Sequence, residues 1–131
     1  MNPVLLEEMY LKIDKADSMF SKYIRTRDRY TCVRCGVYSK KTQCSHYFGR
    51  RMESVRFDEE NCDTLCFGCH RYWEKEDREA YREFKIKQLG QGRFDSLRLK
   101  SNLLHTKDRK MAYLYWSERL KELKKEKTPY K

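Results

Sequence analysis

Two C-x2-C pairs, and three polar residues threaded between and beside them, are the residues of this chain whose types and spacing could do chemistry. Cys32 and Cys35 lie 31 positions before Cys66 and Cys69. Four thiolates suit the tetrahedral preference of Zn2+ and close such a site against water. The interval is long enough to wrap a hairpin, so the predicted structural zinc clasps that hairpin against the segment that follows. Cys44 and Cys62 are left over. Small buried hydrophobes are the plainer assignment for both, and a rearranged site that recruits Cys62 or His46 is the alternative. His46, Asn61 and His70 are separated by 14 and 8 residues. A lone histidine is more often a surface or core residue than a catalytic one, and a lone asparagine is usually a cap or turn. Their joint spacing, tied to the cysteine pairs, points to hydrolysis of a phosphodiester.

That reaction needs a base to deprotonate water and a divalent cation to neutralise the leaving oxygen. His46 ends a predicted strand and titrates near neutrality, which suits the base. The Asn61 amide would fix the loop carrying His46, or fix the imidazole through a backbone carbonyl. His70 follows Cys69 at the expected start of a helix, so zinc closure would hold it rigidly. Glu74 lies one helical turn later on the same face. Together they are the candidate ligands of a catalytic Mg2+ or Mn2+ ion. His105 belongs to no such pattern and is assigned to the surface.

A net charge of +10 and a pI near 9.4 point to a polyanionic partner. The excess is uneven: residues 25–60 carry nine Lys/Arg against five Asp/Glu, whereas residues 1–24 carry three against four. Arg50 and Arg51, just beyond His46, are the first candidates for bidentate phosphate contact with DNA. Arg56, Lys40 and Lys41 come second. A solvated face is the alternative for each.

The elements that must position these groups follow from periodicity. Residues 4–27 place Leu5, Met9, Ile13, Ala16, Phe20, Tyr23 and Ile24 at helical steps. Residues 28–90 form the expected zinc-clasped core, with Gly36 turning the first knuckle. Strands are expected at 42–48 and 54–58, joined by Gly49-Arg50-Arg51. A helix should start near Cys66–His70 and run to Leu89, where Gly90 is a natural stop. Residues 91–125 make a C-terminal helical part. In it, 92–102 is a connector with a helical turn from Asp95, and a last helix from Thr106, its predicted N-cap, carries Met111, Leu114, Tyr115, Leu120 and Leu123 on one side. Residues 126–131 are a frayed tail. The layout over residues 1–131 is a single small α+β domain. Its hydrophobic fraction of 39% against 38% charged makes a thin core, which a structural metal would help to stabilise. The two terminal helices could pack on each other or supply a homodimer interface. The first ten residues lack an apolar export core and no run of about 18 apolar residues occurs, so no membrane span is expected. Cysteines in such a chain read as metal ligands in a reducing cytoplasm.

The stretch Cys32-x2-Cys35, Cys44-Ser45-His46-Tyr47 and Asn61-x4-Cys66-x2-Cys69-His70 resembles the HNH, or His-Me finger (ββα-metal), nuclease superfamily. The resemblance implies His46 as general base, Asn61 as its support and His70 as metal ligand. Many members carry a metal-binding residue just before the base; here that residue is Ser45, and Glu74 would take the vacant role. A closer likeness spans roughly residues 10–125. Phe20-Ser21-Lys22-Tyr23-Ile24-Arg25-Thr26-Arg27-Asp28, Arg56-Phe57-Asp58-Glu59-Glu60-Asn61 and Tyr81-Arg82 through Leu89-Gly90-Gln91 resemble the lambdoid-phage NinG/Rap recombination endonuclease family. The chain departs from it in lacking a long basic N-terminal extension and in having His70 where Asn is common. That likeness implies a phage-encoded enzyme in a bacterial host cell, cutting branched DNA such as Holliday junctions and D-loops. Two other readings stand beside it: an HNH nicking or double-strand endonuclease of packaging, restriction or mobility, and a zinc-stabilised DNA-binding module without hydrolysis.

Overall fold

Five α-helices and one two-stranded sheet organise residues 14–127, the residues that the computed structural model describes. They make a mixed α+β structure that is mostly helical. The first helix, α1 (Lys15–Arg27), starts at a capping box: the Asp14 carboxylate accepts from the Asp17 amide at 2.9 Å and Asp17 returns the contact at 3.0 Å. Two otherwise unpaired N–H groups are thereby satisfied. The expected helical stretch 4–13 lies outside the described residues. Past α1 the chain turns through Arg29 and Tyr30, both left-handed, into the first cysteine knuckle. Gly36 has φ +82° there, and its amide donates to the Cys32 carbonyl at 2.9 Å.

Strands β1 (Gln43–His46) and β2 (Cys62–Leu65) pair antiparallel, with His46 opposite Cys62 and Ser45 opposite Asp63. The strand expected at 54–58 is not formed. Glu53–Val55 is a 3-10 turn and Arg56 has helical backbone angles, so the returning strand begins only after Asn61. Side chains replace the missing ladder, because the Asn61 amide bonds the backbone of Phe48 and Val55. Alternation along the strands then sorts the two faces.

Cys44, His46, Cys62 and Thr64 face α1, whose Arg27 guanidinium ties the start of β2 by donating to the Cys62 carbonyl at 2.8 Å. The last helix, α5 (Arg109–Lys127), packs along α1: the Trp116 ring lies 4.7 Å from Phe20 and 4.8 Å from Tyr23. Thus the two terminal helices pack on each other. Asp108, rather than Thr106, caps α5 by accepting from the Met111 amide at 3.0 Å. Its packed stripe is Ala112, Trp116, Leu120 and Leu123. Met111, Leu114 and Tyr115, expected on the buried side, are exposed. The bulky Trp116 ring between Phe20 and Tyr23 sets the rotation of the helix.

Ser45, Asp63 and Leu65 face the other layer. There α2 (Phe67–Arg71) runs into a widened π turn at Tyr72–Glu76, and α3 (Arg78–Leu89) follows. The single helix expected from Cys66 to Leu89 is therefore broken. Asp77, with φ −141°, leaves helical geometry and caps α3 through the Ala80 amide at 3.0 Å. Gly90 stops α3 at φ +86°, but α4 (Gln91–Ser101) begins at once in place of the expected connector. Buried Phe94 and Leu97 explain it: they anchor α4, with Phe94 5.7 Å from Tyr47. Trp73 and Tyr81 stack at 4.5 Å over Leu65, Cys32 and Cys69. No helix among the described residues is long and apolar enough to cross a membrane.

Lys85 is wholly buried and its ammonium donates to Asp63 at 2.9 Å. The Asp63 carboxylate also accepts from Gln88 at 2.8 Å and Tyr81 at 3.3 Å, and Tyr81 meets Ser45 at 2.9 Å. These bonds lock α3 to the back of both strands. Removing one partner of a buried pair strands the other charge, at a cost of about 3–5 kcal/mol. Asp63→Ala should lower unfolding stability by that order in chemical denaturation. Asp63→Ala with Lys85→Met should recover much of the loss; no recovery would refute the ion-pair account.

Candidate functional site

Cys32, Cys35, Cys66 and Cys69 converge at the junction of the knuckle and α2. Their sulfurs all lie within 4.8 Å of one another, and Cys35 Sγ is 3.8 Å from Cys66 Sγ. Zn–S bonds near 2.3 Å in a tetrahedron place sulfurs about 3.8 Å apart. Backbone amides of Cys35 and Cys69 point at Cys32 Sγ and Cys66 Sγ at 3.5 and 3.4 Å, and Arg34 Nη1 lies 3.3 Å from Cys69 Sγ. Such donors stabilise thiolate charge. The donor set fits a structural zinc, which this cluster could bind. Cys66 also caps α2, so one residue both joins the cluster and starts the helix that carries His70.

His46 and His70 line one cleft of about 710 Å3, between α1, β1 and the start of α2. Its other walls include Lys22, Arg25, Gln43, Cys44, Arg50 and Glu74. His46 Nε2 is 2.8 Å from the Arg56 carbonyl. A carbonyl only accepts, so the proton sits on Nε2 and the Nδ1 lone pair is free. That carbonyl is held indirectly. Fully buried Asn61 accepts from the Phe48 amide at 2.8 Å, and donates to the Phe48 and Val55 carbonyls at 2.8 and 3.1 Å. Its amide thereby staples both ends of the loop that presents Arg56. Burial depresses the His46 pKa to about 4; the bond to Arg56 opposes the fall and the Arg50 guanidinium adds to it. His46 is therefore neutral at physiological pH.

His70 Nδ1 lies 2.7 Å from Gln43 Oε1 and Nε2 lies 2.7 Å from Glu74 Oε1. Both partners accept. With the Nδ1 proton given to Gln43, the Nε2 edge needs a proton or a cation to meet the Glu74 carboxylate. Glu74 sits in the π turn, a local widening found often at functional sites. Ser45 turns away from the cleft into the Tyr81 bond, as strand alternation requires.

Of the five cations singled out for phosphate, Arg50 lines the cleft. Arg51 is exposed beside the Ser101–Thr106 segment, and Lys40 and Lys41 lie on the exposed turn before β1, with Lys40 over the Tyr30 ring at 4.8 Å. Arg56 is a correction. It is 3% exposed, with Nε 2.8 Å from Asp17 and Nη1 3.0 Å from Glu53, so it joins α1 to the loop instead of facing a ligand. Lys22, Arg25 and Gln43 are cleft residues that sequence reasoning missed. Ser18, Lys22 and Arg25, at helical steps on the polar side of α1, were the available signal. Gln43 left none.

A small sheet, a cysteine cluster that could bind zinc and a histidine-lined cleft edged by cations define the class, a mixed α+β protein that is mostly helical. Residues 7–126 match the family model of the Bacteriophage Lambda NinG protein, and the chain belongs to that family. A protein of Lactococcus phage SK1 named "Probable HNH endonuclease" is 35% identical over 54 residues, covering 37% of this chain and 57% of that relative. The chain thus spans just over half the length of the relative it matches. No solved structure matches this chain.

Two measurements follow from this geometry. Cys66→Ser should lower the zinc bound per chain and cost cooperative unfolding, since ligand removal subtracts binding energy from folding; unchanged zinc content would exclude Cys66 as a ligand. His46, followed by NMR, should stay neutral down to about pH 4. Its folded pKa lies below the unfolded value near 6.5, so the unfolded chain binds the extra proton between them. The stability involved, at most about 3 kcal/mol, is fully present above about pH 6.5 and is lost as pH falls through about 4. A ring titrating near 6.5 in the folded protein would contradict the buried, carbonyl-bonded state.

Proposed function

We propose that this chain is a metal-dependent DNA endonuclease of the His-Me finger type, with the β1–β2 hairpin and α2 as its ββα-metal core. The observation that carries the reading is the shared cleft: it is lined both by a neutral imidazole, whose Nε2 is engaged by a carbonyl, and by a second imidazole paired with a carboxylate. In this reading His46 Nδ1 takes a proton from water as the water oxygen attacks phosphorus, and the bond to the bridging oxygen breaks. His70 Nε2 and Glu74 hold the divalent cation, which supplies charge neutralisation at the leaving oxygen. Mg2+ and Mn2+ suit this mixed nitrogen and oxygen donor pair with open positions left for water and phosphate. Gln43 fixes the tautomer of His70, as a partner of a metal-binding histidine commonly does. Asn61 acts through the loop and the Arg56 carbonyl, as a positioning residue. Arg50, Lys22 and Arg25 hold the phosphate backbone, and phosphate charge beside His46 would raise its basicity toward neutrality.

Family membership and the phage relative support DNA as the substrate. We further propose branched recombination intermediates as the preferred form, with a phage-encoded enzyme acting in the bacterial cytoplasm. Two symmetric cuts at a four-way junction would come most simply from a two-fold dimer.

Cleavage assays on four-way junctions and on linear duplex of equal length, with Mg2+, Mn2+ or chelator, test the reading. Junctions should be cut in preference, chelator should stop cleavage, and His46→Ala should lose about 10²–10⁴-fold in rate. Full activity of His46→Ala would sink the proposed base, and equal cutting of linear duplex would sink the branched-DNA specificity.

A further inference from the structure

A second cluster of soft ligands sits beside the first imidazole. Cys44 and His46 are two residues apart on β1 and so share a face, and Cys62 lies directly opposite His46 on β2. Their three ligand atoms lie within 4.8 Å of one another. Cys62 is wholly buried beneath Phe20, Tyr23 and Ile24, while Cys44 and His46 line the cleft and give an ion a route in from solvent. His46 Nε2 is already engaged by the Arg56 carbonyl at 2.8 Å, which leaves Nδ1 as the ligand nitrogen. An imidazole held by a carbonyl on its far side is the usual arrangement of a metal-binding histidine.

Two sulfurs and one nitrogen select a soft or borderline cation over Mg2+ or Mn2+. Three protein ligands leave a fourth position open to cleft water, unlike the closed four-cysteine set. We propose that Cys44, Cys62 and His46 form a second, weaker Zn2+ site, and that zinc bound there shuts the enzyme off by occupying the Nδ1 lone pair of His46. The thiols bind as thiolates and release their protons to solvent. Occupancy of the four-cysteine site then supports the fold, while zinc in excess of it silences the cleft. The inhibitory half rests on the reading of His46 as the base; the binding half does not.

Cadmium NMR on the full chain reads binding without reference to activity. The cadmium-loaded protein should give two resonances, one of four-thiolate character and one shifted as expected for two sulfurs and a nitrogen. Cys44→Ala and Cys62→Val should each lose the second resonance and keep the first. A single resonance in the parent protein, or a second one surviving in Cys44→Ala, would overturn the site. Should Cys62→Val not fold, the half-buried Cys44 position decides the matter. For the inhibitory half, cleavage at fixed Mn2+ is measured as free zinc rises, each protein scaled to its own rate without added zinc. The parent should lose activity at lower zinc than Cys44→Ala. Identical zinc curves would overturn inhibition through this site, while His46→Ala assayed without added zinc separately tests the base.

Discussion

One buried amide organises the cleft. Asn61 is fully buried and spends its side chain on the backbone of Phe48 and Val55, the two ends of a loop without a strand ladder of its own. Unpaired backbone groups at such a depth would each cost free energy comparable to a lost hydrogen bond. Because the loop is held, the Arg56 carbonyl has a fixed place, and because that carbonyl is fixed, the His46 ring that lines the cleft is held by its Nε2. A side chain remote from solvent thus bears, through the loop, on a largely buried ring that lines the cleft.

Charge is divided between the layers with the same economy. Asp63 is consumed by Lys85 behind the sheet, and Asp17 by Arg56 in front of it. Both pairs are buried, where desolvation offsets much of their attraction. Their effect is on geometry: one locks α3 to the strands and the other locks α1 to the loop. With Asp17 occupied, Lys22, Arg25 and Arg50 share the cleft wall with one remaining carboxylate among the described residues, Glu74, which is itself turned to His70. The wall is left suited to an anion.

The two cysteine groups differ in a way that matters for the site. The tetrad joins elements far apart in sequence and draws two ligands from each knuckle, so a cation there would fasten α2 and with it His70. The Cys44–His46–Cys62 group lies across one hairpin and shares a histidine with the cleft. Thiol pairs otherwise alike thereby come to differ, one toward architecture and the other toward the reactive face.

The residue types and spacings alone singled out the cysteine tetrad, both cleft histidines and Glu74, because short-range ligand spacing and helical periodicity are local properties; the terminal helices were legible as helices, and the structure showed that they pack on each other. The resemblance over roughly residues 10–125 also pointed to the NinG family. Other features depended on long-range contacts. The strand expected at 54–58 yielded to a 3-10 turn because Asn61, several residues later, bonds the loop backbone. The α5 stripe rotated because Trp116 found a slot between Phe20 and Tyr23. Arg56 left the phosphate-binding set because Asp17, 39 residues away, captured its guanidinium, and Gln43 entered the site because α2 brings His70 to the strand. Local pattern determined which groups could act; only the tertiary structure decided where each pointed, since burial and partner choice are set by contacts between segments distant in the chain.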